Sequence, residues 1–283
     1  MLEPAPSRRQ IETSGRSVPG GRGHFRRWLS EAGDALVSVF FPAGCRICNR
    51  ILTTASRIPI CTDCLNSFVP VPEVACEVCG RPLAAFSPPA SRDQALLCLA
   101  CRDKTYAFDC ARSFALYEGA LVKAILFLKF EEIRPLGMWF AERLQEVVEK
   151  EKETLGADVV VPVPLHRQRE KERGYNQAGL ISRPLARRLR LPHRAVLLMR
   201  TRPRPEKHIL SLEERWESVR GAFATRPGSQ VDNQRVLLVD DVLTTGATLD
   251  ACSRALREAG AKSVIGLTVA RAVLNPVPSS IEW

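Results

Sequence analysis

Apolar residues follow two spacings along this chain. Short, mostly β-branched runs occur at Val159-Val160-Val161, Val236-Leu237-Leu238-Val239 and Val264-Ile265-Gly266-Leu267-Thr268-Val269-Ala270. Runs of this kind read as strands buried on both faces, as in the middle of a parallel sheet. Residues 196–200 predict a second core strand after 158–164, which reads as the first, and 112–117 predict an edge strand. Helical spacing appears at 28–41, 121–130, 176–190 and 249–259, and in a longer helix from Pro135 to about residue 152. Strands alternating with helices predict an α/β fold, an open parallel sheet whose ligand crevice lies at the carboxyl ends of the strands.

The 236–239 run ends in Asp240 and Asp241. Thr244, Thr245, Gly246, Ala247 and Thr248 follow, ahead of the helical 249–259 segment. A glycine free to take positive φ, with three hydroxyls around it at a helix N-terminus, makes a concave anion site that suits a phosphate. Carboxylates cannot attract that phosphate by charge. Their expected work is to hold ribose hydroxyls or a hydrated Mg²⁺ beside it.

Polar and apolar patterning lapses in residues 1–27, where six Arg stand among Gly, Ser and Pro, and a disordered basic tail is expected there. The next block is marked by cysteine. Eight of ten cysteines form C-x-x-C pairs: Cys45/Cys48, Cys61/Cys64, Cys76/Cys79 and Cys98/Cys101, with 12, 11 and 18 residues between successive pairs. Two such turns give Cys₄ coordination of Zn²⁺, and a closed Cys₄ site has no open position for substrate, so about two structural ions are expected. The simplest grouping is 45/48/61/64 with 76/79/98/101, and an interleaved grouping is also open. Disulfide or redox chemistry is the rival reading, against which stand the four-fold repetition of one spacing and the lack of any export signal. Residues 86–94 read as the tip of the second ribbon, and Cys110 and Cys252 as small buried hydrophobes.

The formal net charge is +10, and residues 166–220 alone carry fifteen Arg or Lys against six Glu. Such a block fits a polyanionic ligand or nucleic acid, and its place beside the phosphate loop favours the small polyanion. The sequence contains no apolar run of the 18 or so residues that span a bilayer, and a cytoplasmic protein is expected. Four units follow: a tail at 1–27, a double zinc ribbon at 28–110, an α/β domain at 111–270 and a loose C-terminal tail at 271–283.

The apolar run, Asp240-Asp241 and Thr244-Thr245-Gly246-x-Thr248 resemble the phosphoribosyl-pyrophosphate (PRPP) signature of type I phosphoribosyltransferases. Pro162-Val163-Pro164-Leu165-His166-Arg167, Arg173-Gly174-Tyr175-Asn176-Gln177-Ala178 and Val219-Arg220-Gly221-Ala222-Phe223 are similar to the ComF family of phosphoribosyltransferase-like proteins, in which paired cysteines precede the transferase domain. The resemblance covers about residues 30–270. It implies PRPP as ligand, with transfer or recognition of its ribose 5-phosphate and Asp240 and Asp241 at the reacting ribose. It also implies Mg²⁺ with the PRPP, pyrophosphate held by Pro164, Leu165, His166 and Arg167, and a flexible loop bearing Arg202, Arg204 and Lys207. Family members usually show Arg-x-Arg-x-Thr-x-x-Gln in that loop. This chain keeps Arg200 and Arg202 but has Arg204 and Lys207 at the Thr and Gln positions, a departure that bears on the acceptor. The family is also associated with DNA uptake, which implies single-stranded DNA and a competence helicase as partners and, as the alternative to nucleotide metabolism, an accessory protein without turnover.

Overall fold

The computed structural model describes residues 44–52, 56–83, 95–103, 106–203 and 211–273. The expected tail at 1–27, the helix at 28–41, the ribbon tip at 86–94, most of the C-terminal tail, Arg204 and Lys207 lie outside the described residues. In chain order the elements are α1 (Thr62–Asn66), α2 (Leu99–Asp103), β1 (Cys110–Leu116), α3 (Gly119–Phe130), α4 (Pro135–Lys150) and α5 (Lys152–Leu155). There follow β2 (Val159–Pro162), α6 (Arg167–Arg173), α7 (Gln177–Leu189), β3 (Leu198–Arg200), α8 (Leu212–Glu217), β4 (Phe223–Thr225), β5 (Arg235–Leu243), α9 (Ala247–Glu258) and β6 (Ser263–Arg271).

Four strands form one parallel sheet in the order β1-β6-β5-β2. Because β5 and β6 are central, their apolar runs meet a layer on each face. Leu237, Val239, Ile265 and Leu267 pack with α3, α4, α7 and the first cysteine module. Val236, Leu238 and Val264 pack with α9 and the short β3–β4 sheet. Val236 to Val239 have no exposed surface, and burial of this kind contributes about 1.5–3 kcal/mol per large side chain.

Two expectations about strand order are corrected. The 158–164 strand is not the first of the parallel core, since β1 precedes it and β2 occupies the opposite edge. The 196–200 strand is outside the core sheet altogether: the chain touches β2 through one parallel bridge, Val160 to His193, then leaves to pair β3 antiparallel with β4. Val196 is 59% exposed, while Leu198 turns inward against the second apolar layer. The expected 110/111 boundary falls inside β1, and Arg271, expected in the loose tail, is a buried residue of β6.

Helices α4 and α7 approach closely at Gly137, where a Cβ would stand 2.7 Å from the Leu180 carbonyl oxygen. Two helix backbones hold that contact, so neither can yield easily. Gly137→Ala should therefore lower stability by about 1–3 kcal/mol, measured by urea unfolding, despite the better helix propensity of alanine.

Candidate functional site

Side chains alternate along β5, and the alternation separates the two acids. Leu237 and Val239 face α3, and Asp241 continues that side: Lys129 Nζ of α3 lies 2.6 Å from its Oδ2. Asp240 falls on the side of α9, and its Oδ1 accepts a 2.8 Å hydrogen bond from the Asp241 amide. Burial, reinforced by the neighbouring Asp241 charge, pushes the Asp240 carboxyl up to about 8. The acids are thus unlike: one is held in an ion pair, the other is pushed up by burial.

Past Leu243 the strand turns into α9 through Gly246, whose φ of 85° lies in the left-handed region. Gly246 is the N-cap and supplies no side-chain cap, so the first-turn amides of Thr248 and Leu249 get none from it. The Ala247 amide donates to Thr245 Oγ1 at 3.3 Å. On the opposite side the loop carbonyls are held. Arg271 Nη1 donates to Leu243 O at 2.9 Å and to Thr244 O at 2.6 Å, and Tyr106 Oη donates to Thr245 O at 3.2 Å. Pinned carbonyls with uncapped amides give the loop the polarity of an anion cradle.

The segment Pro164, Leu165, His166 and Arg167 emerges at the same carboxyl edge, because β2 neighbours β5 and the Val163 amide donates to Val239 O at 2.9 Å. Arg167 opens α6 with His166 as N-cap, so it belongs to a helix start rather than a free loop. Asn176 fixes this segment by donating to Val163 O at 3.0 Å while its Oδ1 caps α7 through the Ala178 amide. Pro164, His166 and Arg167 line a cleft of about 770 Å³ together with Arg183, Arg200 and Arg226. Residues 244–248 are not among its walls. The sequence-predicted residues therefore divide: the 164–167 segment lines this cleft, and the 244–248 turn lies outside its walls. Arg202 is exposed just past β3, where Arg200 Nε donates to its carbonyl at 2.9 Å.

The eight paired cysteines assemble as two sets, Cys45, Cys48, Cys61, Cys64 and Cys76, Cys79, Cys98, Cys101, in each of which the sulfurs lie within 4.8 Å of one another. The simplest grouping is the observed one. Sulfur separations of 3.9 Å for Cys45–Cys64, 3.6 Å for Cys48–Cys61 and 3.7 Å for Cys79–Cys98 match the ~3.8 Å edge of a tetrahedron with Zn–S bonds of about 2.3 Å. Both sets fit structural zinc and neither is disulfide-bonded. Cys110 and Cys252 are buried, and burial raises both thiols.

Sequence reasoning missed Lys129, Tyr106 and Arg271. Lys129 is one of two lysines, with Lys123, in an otherwise apolar helix, and the sequence does not tell them apart. Arg271 ends an otherwise apolar strand, a signal that a buried partner waits there; nothing local marks Tyr106.

Comparison with known proteins follows the same division. Residues 36–102 match a double zinc ribbon domain and residues 182–276 a phosphoribosyl transferase domain. Competence protein F of Haemophilus influenzae is 36% identical over 116 residues, 41% of this chain and 51% of that protein, so the match spans about half of the relative's length. DNA utilization protein YhgH of Escherichia coli is 28% identical over 226 residues, 79% of this chain and 94% of that protein. Among solved structures, the glutamine PRPP amidotransferase from B. subtilis complexed with ADP and GMP aligns at 22% identity, covering 48% of this chain and 26% of that one, with a TM-score of 0.32.

The raised Asp240 carboxyl has a signature in stability. A folded-state value above the unfolded 3.8 means its contribution is fully present below pH 4 and is lost as pH rises through about 8. Asp240→Asn removes that loss. Its melting temperature relative to the parent should rise between pH 5 and pH 8.5; an equal difference at both pH values contradicts the assignment.

Proposed function

We propose, for a chain that belongs to the ComF family of phosphoribosyltransferase-like proteins with an N-terminal double zinc ribbon, that the loop of Thr244, Thr245, Gly246, Ala247 and Thr248 binds the 5′-phosphate of PRPP. The observation that carries this reading is the left-handed, uncapped Gly246 at the end of a buried strand, with its preceding carbonyls tied away from the cradle. Asp240, on the α9 side near the loop, takes the ribose hydroxyls. Asp241 is engaged by Lys129 and serves as its positioning partner.

The pyrophosphate of PRPP falls to the segment Pro164, Leu165, His166 and Arg167, with Arg167 and Arg202 supplying positive charge and Arg204 and Lys207 extending it. Among the described residues no third carboxylate joins Asp240 and Asp241 in a metal cage. Mg²⁺ would therefore enter on the diphosphate, keep several waters, and neutralise the charge that develops there as the anomeric carbon loses its leaving group. Transfer of the phosphoribosyl group then needs positioning and electrostatic stabilisation, with no covalent nucleophile. The two cysteine sets hold structural Zn²⁺.

The names of the relatives, Competence protein F and DNA utilization protein YhgH, support a role in DNA uptake. The arginine-lined cleft that the 164–167 segment helps to wall favours a ligand of phosphodiester chemistry, such as single-stranded DNA brought by a helicase, which would share that segment with the pyrophosphate of PRPP.

Calorimetric titration tests the reading. Parent protein should bind Mg²⁺-PRPP and ribose 5-phosphate. Gly246→Val should lose at least tenfold for both, because a Cβ there stands 2.9 Å from Tyr106 Cε1 and the required φ is strained. Asp240→Asn should weaken ribose 5-phosphate by about five- to tenfold while leaving inorganic phosphate unchanged. Unaltered affinity in a Gly246→Val protein that is folded by circular dichroism contradicts the loop assignment.

A further inference from the structure

The buried guanidinium of Arg271 joins the second cysteine set to the loop. The residue is 2% exposed; Nη1 donates to the carbonyls of Leu243, Thr244 and Ala272, and Nη2 lies 3.5 Å from Cys79 Sγ. Its described partners are carbonyls and a sulfur. A buried cation needs compensating charge, and a Cys₄ zinc centre, four thiolates around a divalent ion, carries a net charge of about −2. N–H groups aimed at metal-bound sulfur are the ordinary outer support of such centres.

A second link runs parallel to the first. Tyr106 packs against the same cysteine cluster, stacks on Phe108 at 4.6 Å, and donates to Thr245 O. Its ring is also the surface on which Gly246 rests. The next residue, Ala107, donates its amide to Asp250 Oδ1 in the first turn of α9 at 2.8 Å. Three successive carbonyls, those of Leu243, Thr244 and Thr245, are thereby held by two residues that both touch the second cysteine set. The first set is built differently: Cys45 and Cys64 lie in the apolar layer of α3 and α4, with Arg46 paired to Glu131.

We propose that the second Cys₄ site sets the geometry of the 244–248 loop, so that zinc at Cys76, Cys79, Cys98 and Cys101 and a ribose phosphate at the loop bind cooperatively, with Arg271 and Tyr106 as the positioning residues. The proposal rests on the loop's ligand reading for its second half only. When zinc leaves, the four cysteines are no longer tied to one point, Cys79 is free to draw away from the guanidinium, and the carbonyls that Arg271 held are released. Linkage makes the effect reciprocal: ligand at the loop tightens zinc at the second site by the same factor that this zinc tightens ligand. The first site takes no part.

Amide hydrogen exchange on the full-length zinc-loaded protein tests the coupling without any ligand. Cys79→Ser should release one zinc and speed exchange in a peptide spanning residues 243–250 by about tenfold. Cys48→Ser should also release one zinc and leave that peptide unchanged. Tyr106→Phe and Arg271→Lys should each keep both zincs yet speed loop exchange, the first by deleting one hydroxyl and the second because an ammonium cannot span two carbonyls and a sulfur. Tyr106→Phe decides the matter should Arg271→Lys not fold. In calorimetry, ribose 5-phosphate should bind Cys48→Ser like the parent and bind Cys79→Ser at least fivefold more weakly. Zinc release from the second site, followed with a colorimetric chelator, should slow by a matching factor under saturating ribose 5-phosphate. Loop exchange that ignores loss of the second zinc, or responds equally to loss of either, overturns the proposal. Ribose 5-phosphate that fails to bind the parent overturns the cooperative half and the ligand reading, while the exchange comparison still decides the mechanical link.

Discussion

A strand with neighbours on both edges and apolar layers on both faces can offer polar groups to a ligand only where it ends. β5 is that strand. It pairs with β2 and β6 and has no exposed surface from Val236 to Val239. Everything with chemical potential therefore gathers at its carboxyl end: Asp240, Asp241, the turn through Gly246 and the first turn of α9. The neighbouring β2 delivers the 164–167 segment to the same edge, and β6 delivers Arg271. The cost of this arrangement is visible in Asp240, whose carboxyl is held well above its usual range by the same burial that makes the strand stable.

Much of this was legible in sequence because it depends on local pattern. The apolar run of β5, the acid pair, the glycine turn and the helix after it are consecutive, and each residue type has a local physical reason. Cys₄ sets were also legible, since a C-x-x-C turn presents two sulfurs to one point, while the choice of the simplest grouping over an interleaved one came from the fold. What was not legible depends on distant partners. Sequence reasoning assigned Asp240 and Asp241 one shared role; the pairing of Asp241 with Lys129 that separates them joins residues 112 positions apart through the packing of α3 on the sheet. β3 reads as core by composition, yet its partner is β4, a strand distant in sequence. Arg271 looked like the beginning of a tail because its reason for burial lies in a carbonyl cluster and a cysteine far upstream.

The two cysteine modules also have unlike places in the molecule. The first adds apolar surface to the layer of α3 and α4, and α3 carries Lys129 to Asp241. The second touches the loop itself through Arg271 and Tyr106. The second module thus lies against the 243–246 turn, where Tyr106 and Arg271 join the two. The arginine-lined cleft, walled in part by the 164–167 segment, does not include residues 244–248.

The site is defined by where a sugar phosphate lands. Backbone amide shifts in a transverse-relaxation-optimised NMR spectrum, followed as ribose 5-phosphate is added to zinc-loaded protein, read this residue by residue. The largest changes should fall on Gly246, Ala247, Thr248 and Leu249, with a smaller set at Asp240 and Asp241. Changes concentrated instead at Arg167, Arg183 and Arg226, or none at the loop under saturating ligand, would contradict the central claim.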